Sequence, residues 1–326
     1  MGKFYRRLAL LILLVGGISG AVIYFTVDVH TLRHLNSFQP WSLAAVTALM
    51  AIGMYFDGTR LLHLVHIAGK RITLLQAVQV IFSNYFLALL TPGAAGGAVA
   101  QVMFLRRAGV PTGIATVVVL ILSLMSILFL FLCLPVVFHI DPGLLPWIPS
   151  NVLIGVSLAL ILGAVAAIWF LRSDLSVRLL KLLARKMSPS ARRRVFSLYR
   201  DTRGAVFMMI STPLSMLRVF LESAASLIAL YSMVPVLFLG LGASVDWPVV
   251  LGRMIFLNVL LYFAPTPGGS GIAEGGFVML FNELLPMGTV GILAVAWRIV
   301  AEYVPFMIGL YFTIRVFGRD FLYKLK

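Results

Sequence analysis

The chain has 326 residues, of which 61% are hydrophobic and only 11% charged, and its formal net charge is +15. A soluble globular domain carries about 25% charged residues, so this chain has too few polar side chains to cover a water-exposed surface. Composition therefore excludes a soluble enzyme and predicts an all-α membrane protein. The basic residues stand beside long apolar segments, which argues against nucleic acid as a partner and for a multi-pass topology with a positive inner side.

The first predicted span covers residues 8–27, twenty residues without a charge, and follows Lys3, Arg6 and Arg7. A helix needs about 20 apolar residues to cross a bilayer. The run is too long for a typical signal peptide, so we interpret it as an uncleaved span with a cytoplasmic N-terminus. A second span, about 41–67, returns the chain to the cytoplasmic side at Lys70 and Arg71.

The next segment, about 74–107, is predicted to enter and leave the membrane on the same side. An apolar run is followed by a break and then by a second basic pair, Arg106 and Arg107. Proline and clustered glycines interrupt helices. The break contains Thr91, Pro92, Gly93, Gly96 and Gly97. The segment therefore reads as a re-entrant hairpin, whose broken backbone is tolerated only in protein or beside a wet cavity.

Spans at about 113–138 and 151–171 then cross outward and back. They lead to a basic segment, about 172–205, which holds ten of the 26 lysines and arginines. Leucines at 175, 179, 182 and 183 have roughly helical spacing, which predicts an amphipathic helix on the inner leaflet. Anionic phospholipid head groups are its expected partner.

The second half of the chain is predicted to repeat the arrangement from the outside. A span at about 212–241 crosses outward, a hairpin at about 249–285 re-enters, and a last span at about 289–316 returns inward. The hairpin breaks at Thr266, Pro267, Gly268, Gly269, Ser270 and Gly271. The prediction is one transmembrane domain, 1–326, with six full spans, two re-entrant hairpins and both termini on the cytoplasmic side of the cell membrane.

The two breaks share the pattern Thr-Pro-Gly-small-small-Gly, and an asparagine precedes each of them, at Asn84 and Asn258. In the predicted topology the two hairpins enter from opposite sides. Inverted repeats with broken helices that meet near the midplane are typical of secondary transporters. The alternative is that these glycines only allow close helix packing.

Charged residues inside membrane spans are rare and usually functional. The candidate substrate-binding residues are Asp57, Arg60, Asn84, Arg218, Glu222, Arg253, Asn258, Glu274, Arg298, Glu302 and Tyr303. Two of these pairs, Asp57 with Arg60 and Arg218 with Glu222, are just as well explained as ion pairs that neutralise each other and only stabilise the structure. We expect Arg253 and Arg298 to engage a lipid phosphate, and Glu274 and Glu302 a cationic head group or a proton. The expectation for Glu274 and Arg298 is that they line a hydrated cavity.

Several catalytic chemistries are disfavoured. Gly268 to Gly271 resembles the serine motif of rhomboid proteases. Those proteases need a histidine base on a helix that follows the serine, whereas all five histidines of this chain precede Ser270. No nucleotide-binding loop is recognisable. The pairs His30/His34 and His63/His66 have metal-compatible spacing, but apart from Asp57 near the second pair no cysteine or acidic cluster accompanies them, so we interpret them as interfacial histidines. We predict no catalytic residues, no metal and no cofactor.

Two parts of the chain resemble one family. The first is the stretch from Asn84 to Val110, and the second is the stretch from Pro265 to Gly271 with Glu274, followed by Arg298, Tyr303, Pro305 and Gly309. The family is the lysylphosphatidylglycerol synthase transmembrane family, also called flippase-like, which includes the flippase domain of the multiple peptide resistance factor. The resemblance covers nearly the whole chain and departs at Ala94 and Ala95, where the family is often glycine-rich.

The resemblance implies movement of aminoacylated or other polar lipids between leaflets. The soluble aminoacyl-transferase domain of the full-length factor is absent from this sequence, so synthase activity is not expected. The alternative function is an enzyme, or a non-catalytic subunit, of lipid-linked substrate modification, working with a separate lipid-modifying enzyme.

Overall fold

The computed structural model describes residues 39–323 except 92, 94, 185, 186 and 287. The predicted first span, 8–27, lies outside the described residues. Those described are helices and the loops that join them. The α-helices are α1 (Pro40–Ile67), α2 (Leu74–Leu90), α3 (Ala95–Arg107), α4 (Thr112–Ile140), α5 (Ser150–Arg172), α6 (Asp174–Leu183), α7 (Pro189–Ser211), α8 (Pro213–Tyr231), α9 (Met233–Gly240), α10 (Trp247–Tyr262), α11 (Ile272–Phe281), α12 (Thr289–Arg298) and α13 (Val304–Tyr323). A 3₁₀ turn, Asn282–Leu284, follows α11, and a π-helical turn, Ile299–Tyr303, joins α12 to α13.

Five helical segments are long and apolar enough to cross a membrane: Pro40–Ile67, Thr112–Ile140, Ser150–Arg172, Pro213–Gly240 and Thr289–Phe317. They coincide with the five predicted spans that fall on described residues. The helices α2 and α10 are apolar but shorter, as the first arm of a re-entrant hairpin must be. The chain is therefore an all-helical polytopic membrane protein.

The helices of the two halves pack in a reciprocal pattern. Helix α2 lies against α3 and against α13, while α10 lies against α11 and against α4. Each hairpin thus contacts the span that follows the other hairpin, and α1 packs along α8. Two repeats related by an axis would produce contacts of this kind. The inverted repeat itself stays a prediction.

Close approach of the helices depends on small residues. A Cβ added at Gly309 of α13 would collide with the carbonyl oxygen of Phe82 in α2. Apolar side chains surround this contact, among them Phe86, whose ring centre lies 5.2 Å from that of Phe306. Glycine at 309 therefore lets the first hairpin dock directly on the last span.

Two apolar clusters fill the interior, one mainly between α4, α9, α10, α11 and α12, the other between α1, α2, α3, α4 and α8. Helix α5 touches the first cluster only through Leu153 and Ile154, and only 6% of its most apolar stretch is buried within the protein. Because it is strongly apolar and unburied, its surface suits contact with lipid chains.

The basic segment forms the helical pair α6 and α7. The Ser176 and Tyr199 hydroxyls lie 2.7 Å apart and join the two helices. Leu175, Leu179 and Leu182 of α6 are exposed on one face. The amphipathic helix predicted from the leucine spacing is therefore present, and its location on the inner leaflet stays a prediction.

Candidate functional site

The two helix breaks meet. The Gly93 N–H donates a hydrogen bond to the Ala264 carbonyl oxygen at 3.1 Å, which ties the first break to the start of the second. Gly268 has a φ of +59°, and a Cβ at this position would lie 2.6 Å from the Leu89 side chain. Only glycine combines this backbone conformation with such a close contact. The loops that interrupt the two hairpins are thus packed on one another.

Each break satisfies its own backbone groups. In the first, the Thr91 hydroxyl donates to the Leu87 carbonyl and accepts from the Gly96 N–H, both at 2.8 Å. In the second, the Ser270 hydroxyl donates to the Pro267 carbonyl at 2.8 Å. Helix ends buried in protein need such partners, because no water is available to replace them. Thr91 and Ser270 therefore have a structural use, whereas the buried Thr266 hydroxyl has no hydrogen-bond partner among the described residues.

Arg298 is the centre of a buried group of charges. Its side chain is 1% exposed and lies 3.1 Å from Glu274 Oε1. It also contacts the Glu302 carboxylate and donates to the Gly268 carbonyl oxygen at 3.1 Å. Glu274 Oε2 accepts from the Gly271 N–H at 2.8 Å, so this carboxylate caps the start of α11. We call Glu274, Arg298 and Glu302 the charged triad.

The π-helical turn begins directly after Arg298 and contains Glu302 and Tyr303. Such turns widen a helix locally and are frequent at functional sites. The guanidinium of Arg298 lies 5.6 Å from the centre of the Tyr303 ring. The widened turn and the ring together fix the position of the arginine against the second break.

A cavity of about 260 Å³ lies between the hairpins and α8. Its wall combines amide, phenol and carboxylate groups with leucine side chains. The polar members are Asn84, Tyr85, Tyr231, Asn258, Tyr262 and Glu302, and the remaining lining residues are Ala88, Leu89, Leu227, Leu230, Leu261, Gly268, Gly269, Trp297 and Ala301. The predicted residues Asn84, Asn258 and Glu302 are therefore brought together, although 218 positions separate the first from the last.

Glu274 and Arg298 are not in the cavity wall, contrary to expectation. They lie behind it and are 2% and 1% exposed. The reason is that the break folds back over them, so that the Gly268 carbonyl covers the guanidinium. Of the triad, only Glu302 reaches the cavity, with 19% of its side chain exposed.

A second charged network joins α1 to α8. Arg60 lies 2.8 Å from Asp57 and donates to the hydroxyls of Ser126 and Ser223, while Ser226 donates to Asp57 at 2.7 Å. These contacts join three helices, although Arg60 Nε is buried without a hydrogen-bond partner among the described residues. Such contacts are those of a structural pair, and a role of Asp57 and Arg60 in substrate binding stays a prediction.

The remaining predicted pair, Arg218 and Glu222, lies on α8 at a separation of 3.3 Å. Glu222 also contacts His63 at 2.9 Å, which links α8 to α1 a second time. Neither residue of the pair lines the cavity between the hairpins. Arg218 is exposed, with 66% of its side chain accessible.

Arg253, predicted to bind a lipid phosphate, is occupied by protein groups. Its Nε donates to Asp141 at 2.7 Å, and its Nη1 contacts the Leu280 carbonyl oxygen. Both charges are buried, at 8% exposure each. The pair joins α10 to the end of α4 and to α11, which makes Arg253 a packing residue in this conformation.

The sequence analysis missed the three tyrosines of the cavity. Tyr85 directly follows Asn84, and Tyr262 lies one helical turn after Asn258 and just before the second break. Their position next to the two motifs is the only feature of the sequence that could have indicated a place in the cavity wall. Tyr231 gives none, because it lies in a long apolar helix far from either motif.

The chain was also compared with known proteins. Residues 9–309 match the family model described as Lysylphosphatidylglycerol synthase TM region. The chain belongs to this family. A curated relative, a UPF0104 membrane protein from Archaeoglobus fulgidus, is 23% identical over 279 residues, which cover 82% of this chain and 85% of the relative.

Membership of the Lysylphosphatidylglycerol synthase TM region family confirms the resemblance found in the sequence. The match includes both helix breaks, the charged triad and the cavity. The family assignment and the apolar helices together establish a multi-pass membrane protein.

Proposed function

We propose that the chain is a lipid transporter that moves a phospholipid with a polar head group between the leaflets of the cell membrane. The observation that carries this proposal is the cavity at the meeting of the two broken hairpins. Broken helices that meet around a polar cavity are the binding-site architecture of many secondary transporters. We further propose that the second hairpin enters the membrane from the opposite side to the first.

The composition of the cavity wall fits an amphipathic ligand. Two carboxamides, three phenols and one carboxylate offer hydrogen bonds to a head group. Leu227, Leu230 and Leu261 provide apolar surface beside them for acyl chains. A ligand with only one of these characters would leave part of the wall without a matching partner.

Transport is favoured over hydrolysis of a lipid-linked substrate by the setting of Ser270. This serine is 1% exposed and its hydroxyl donates to the Pro267 carbonyl. No histidine follows it in the sequence to act as a base. We therefore propose no catalytic role, and any modification of the lipid would fall to a separate enzyme.

The proposal is tested by native mass spectrometry of the protein purified in mild detergent. We expect a phospholipid to remain bound to the wild-type chain and to be lost when Asn258→Leu replaces a cavity carboxamide with an apolar side chain of similar size. Asn282→Leu is the matched control, because Asn282 is exposed outside the cavity.

Equal lipid retention by both variants would show that the cavity is not the binding site. Conversion of the retained lipid to a chemically altered product by the purified chain would favour the enzymatic alternative. Loss of lipid from both variants would point to binding elsewhere on the surface and would contradict the proposal.

A further inference from the structure

The charged triad contains two carboxylates and one guanidinium, so its formal charge is −1 when both acids are ionised. Asp57 and Arg60, the charged pair of α1, neutralise each other and supply no net positive charge. An uncompensated charge in a site shielded from water is strongly unfavourable. A bound cation, of which the proton is the smallest, would remove the imbalance.

The two carboxylates of the triad have unequal surroundings. Glu274 is fully engaged: one oxygen faces Arg298 and the other accepts from the Gly271 N–H. These fixed donors favour its ionised form. Glu302 faces Arg298 with Oε2 only, and within the described part of the chain no donor is assigned to its Oε1. The free oxygen belongs to the one triad side chain that reaches the cavity.

The groups that face Glu302 do not supply a second positive charge. Across the cavity lie the phenols of Tyr85 on α2, Tyr231 on α8 and Tyr262 on α10. Tyr303 packs against the Arg298 guanidinium and is not part of the cavity wall. Among the described lining residues, Glu302 alone carries a formal charge at neutral pH.

We propose that Glu302 is a proton-binding carboxylate and that it couples lipid movement to the proton gradient across the membrane. This inference rests on the proposed transport function. A proton on Glu302 neutralises the triad while Glu274 remains paired with Arg298. Because Glu302 is on the cavity wall, a proton reaches or leaves it only through the space that the lipid head group would occupy, which links the two movements.

Proton binding is tested without any transport assay, by infrared difference spectroscopy of the purified protein between neutral and acidic pH. We expect the protonated-carboxyl band of the wild type to contain a component that is lost in Glu302→Gln and kept in Glu283→Gln, since Glu283 is exposed away from the cavity. Glu302→Asp should restore a band at a changed position. Identical difference spectra for wild type and Glu302→Gln would overturn the proposal.

Coupling is tested in vesicles of phosphatidylcholine and phosphatidylglycerol that contain a fluorescent phosphatidylglycerol. One proton per lipid would shift the leaflet ratio by up to about tenfold for each pH unit of gradient. We expect the shift to reverse with the gradient and to vanish in Glu302→Gln. Translocation that ignores the gradient would overturn coupling and leave transport standing. Absence of translocation under all conditions would count against transport itself, while the infrared result would still decide proton binding.

Discussion

Replacement of Arg298 by glutamine is expected to destabilise the protein strongly. The guanidinium is 1% exposed and makes contacts to two carboxylates and to the Gly268 carbonyl oxygen. Glutamine is shorter and uncharged, so it cannot reproduce them. The change would leave the buried Glu274 carboxylate, and Glu302 at the cavity wall, without a counter-ion.

The magnitude follows from the cost of an unpaired buried charge. Removal of one partner of a buried ion pair costs about 3–5 kcal/mol in free energy of unfolding. Glu302→Gln should cost much less, because the remaining Glu274–Arg298 pair, 3.1 Å apart, is neutral. We expect the two variants to differ by at least about 2 kcal/mol. A double change, Glu274→Gln with Arg298→Gln, should recover part of the loss, since it removes one of the stranded carboxylates.

The free energies of unfolding are measured by sodium dodecyl sulfate titration in mixed micelles, with loss of helical circular dichroism as the signal. If the free energy of unfolding of Arg298→Gln lay within about 1 kcal/mol of the wild-type value, the reasoning would be refuted. Loss of the only positive charge from a buried group of ionised side chains should cost more than that. Equal destabilisation by Arg298→Gln and Glu302→Gln would contradict the assignment of unequal roles within the triad.

Three further predictions concern packing, topology and chemistry. Gly309→Ala should lower the free energy of unfolding by about 1–3 kcal/mol, because the new methyl group would meet the Phe82 carbonyl. Gly163→Ala is the control and should be neutral or stabilising, because its methyl group would meet nothing within 4 Å. Unfolding titrations compare the two variants. In a cysteine-free background, a cysteine at exposed Arg106 should react with an impermeant reagent only from the cytoplasmic side, and one at exposed Ser244 only from outside; labelling of both from one side would remove the inverted repeat. The purified chain should form no lysyl-lipid from charged transfer RNA, and radiolabelled product on thin-layer chromatography would contradict this.

The spans were predictable because hydrophobic length alone decides whether a helix can cross a bilayer. The two breaks were predictable as well, since proline and clustered glycines have few other uses inside apolar segments. Among the charges, only contacts within one helix could be read from spacing: Asp57 with Arg60, Arg218 with Glu222 and Arg298 with Glu302.

Contacts between distant segments could not be read in this way. Arg253 pairs with Asp141 across 112 positions, and Ser226 donates to Asp57 across 169. Spacing carries no information about such pairs, so Arg253 was assigned to a lipid phosphate although protein groups already occupy it. Burial was misjudged for Arg298 for a related reason, because the loop that covers it is distant in sequence.

The central claim is that the cavity between the hairpins carries lipid from one leaflet to the other. Its most direct test is the rate at which fluorescent phosphatidylglycerol in the inner leaflet of sealed vesicles becomes accessible to the impermeant reductant dithionite. The account predicts fast exposure with the wild type and Asn282→Leu, and slow exposure, as in protein-free vesicles, with Asn258→Leu. Equal rates for Asn258→Leu and the wild type would contradict it.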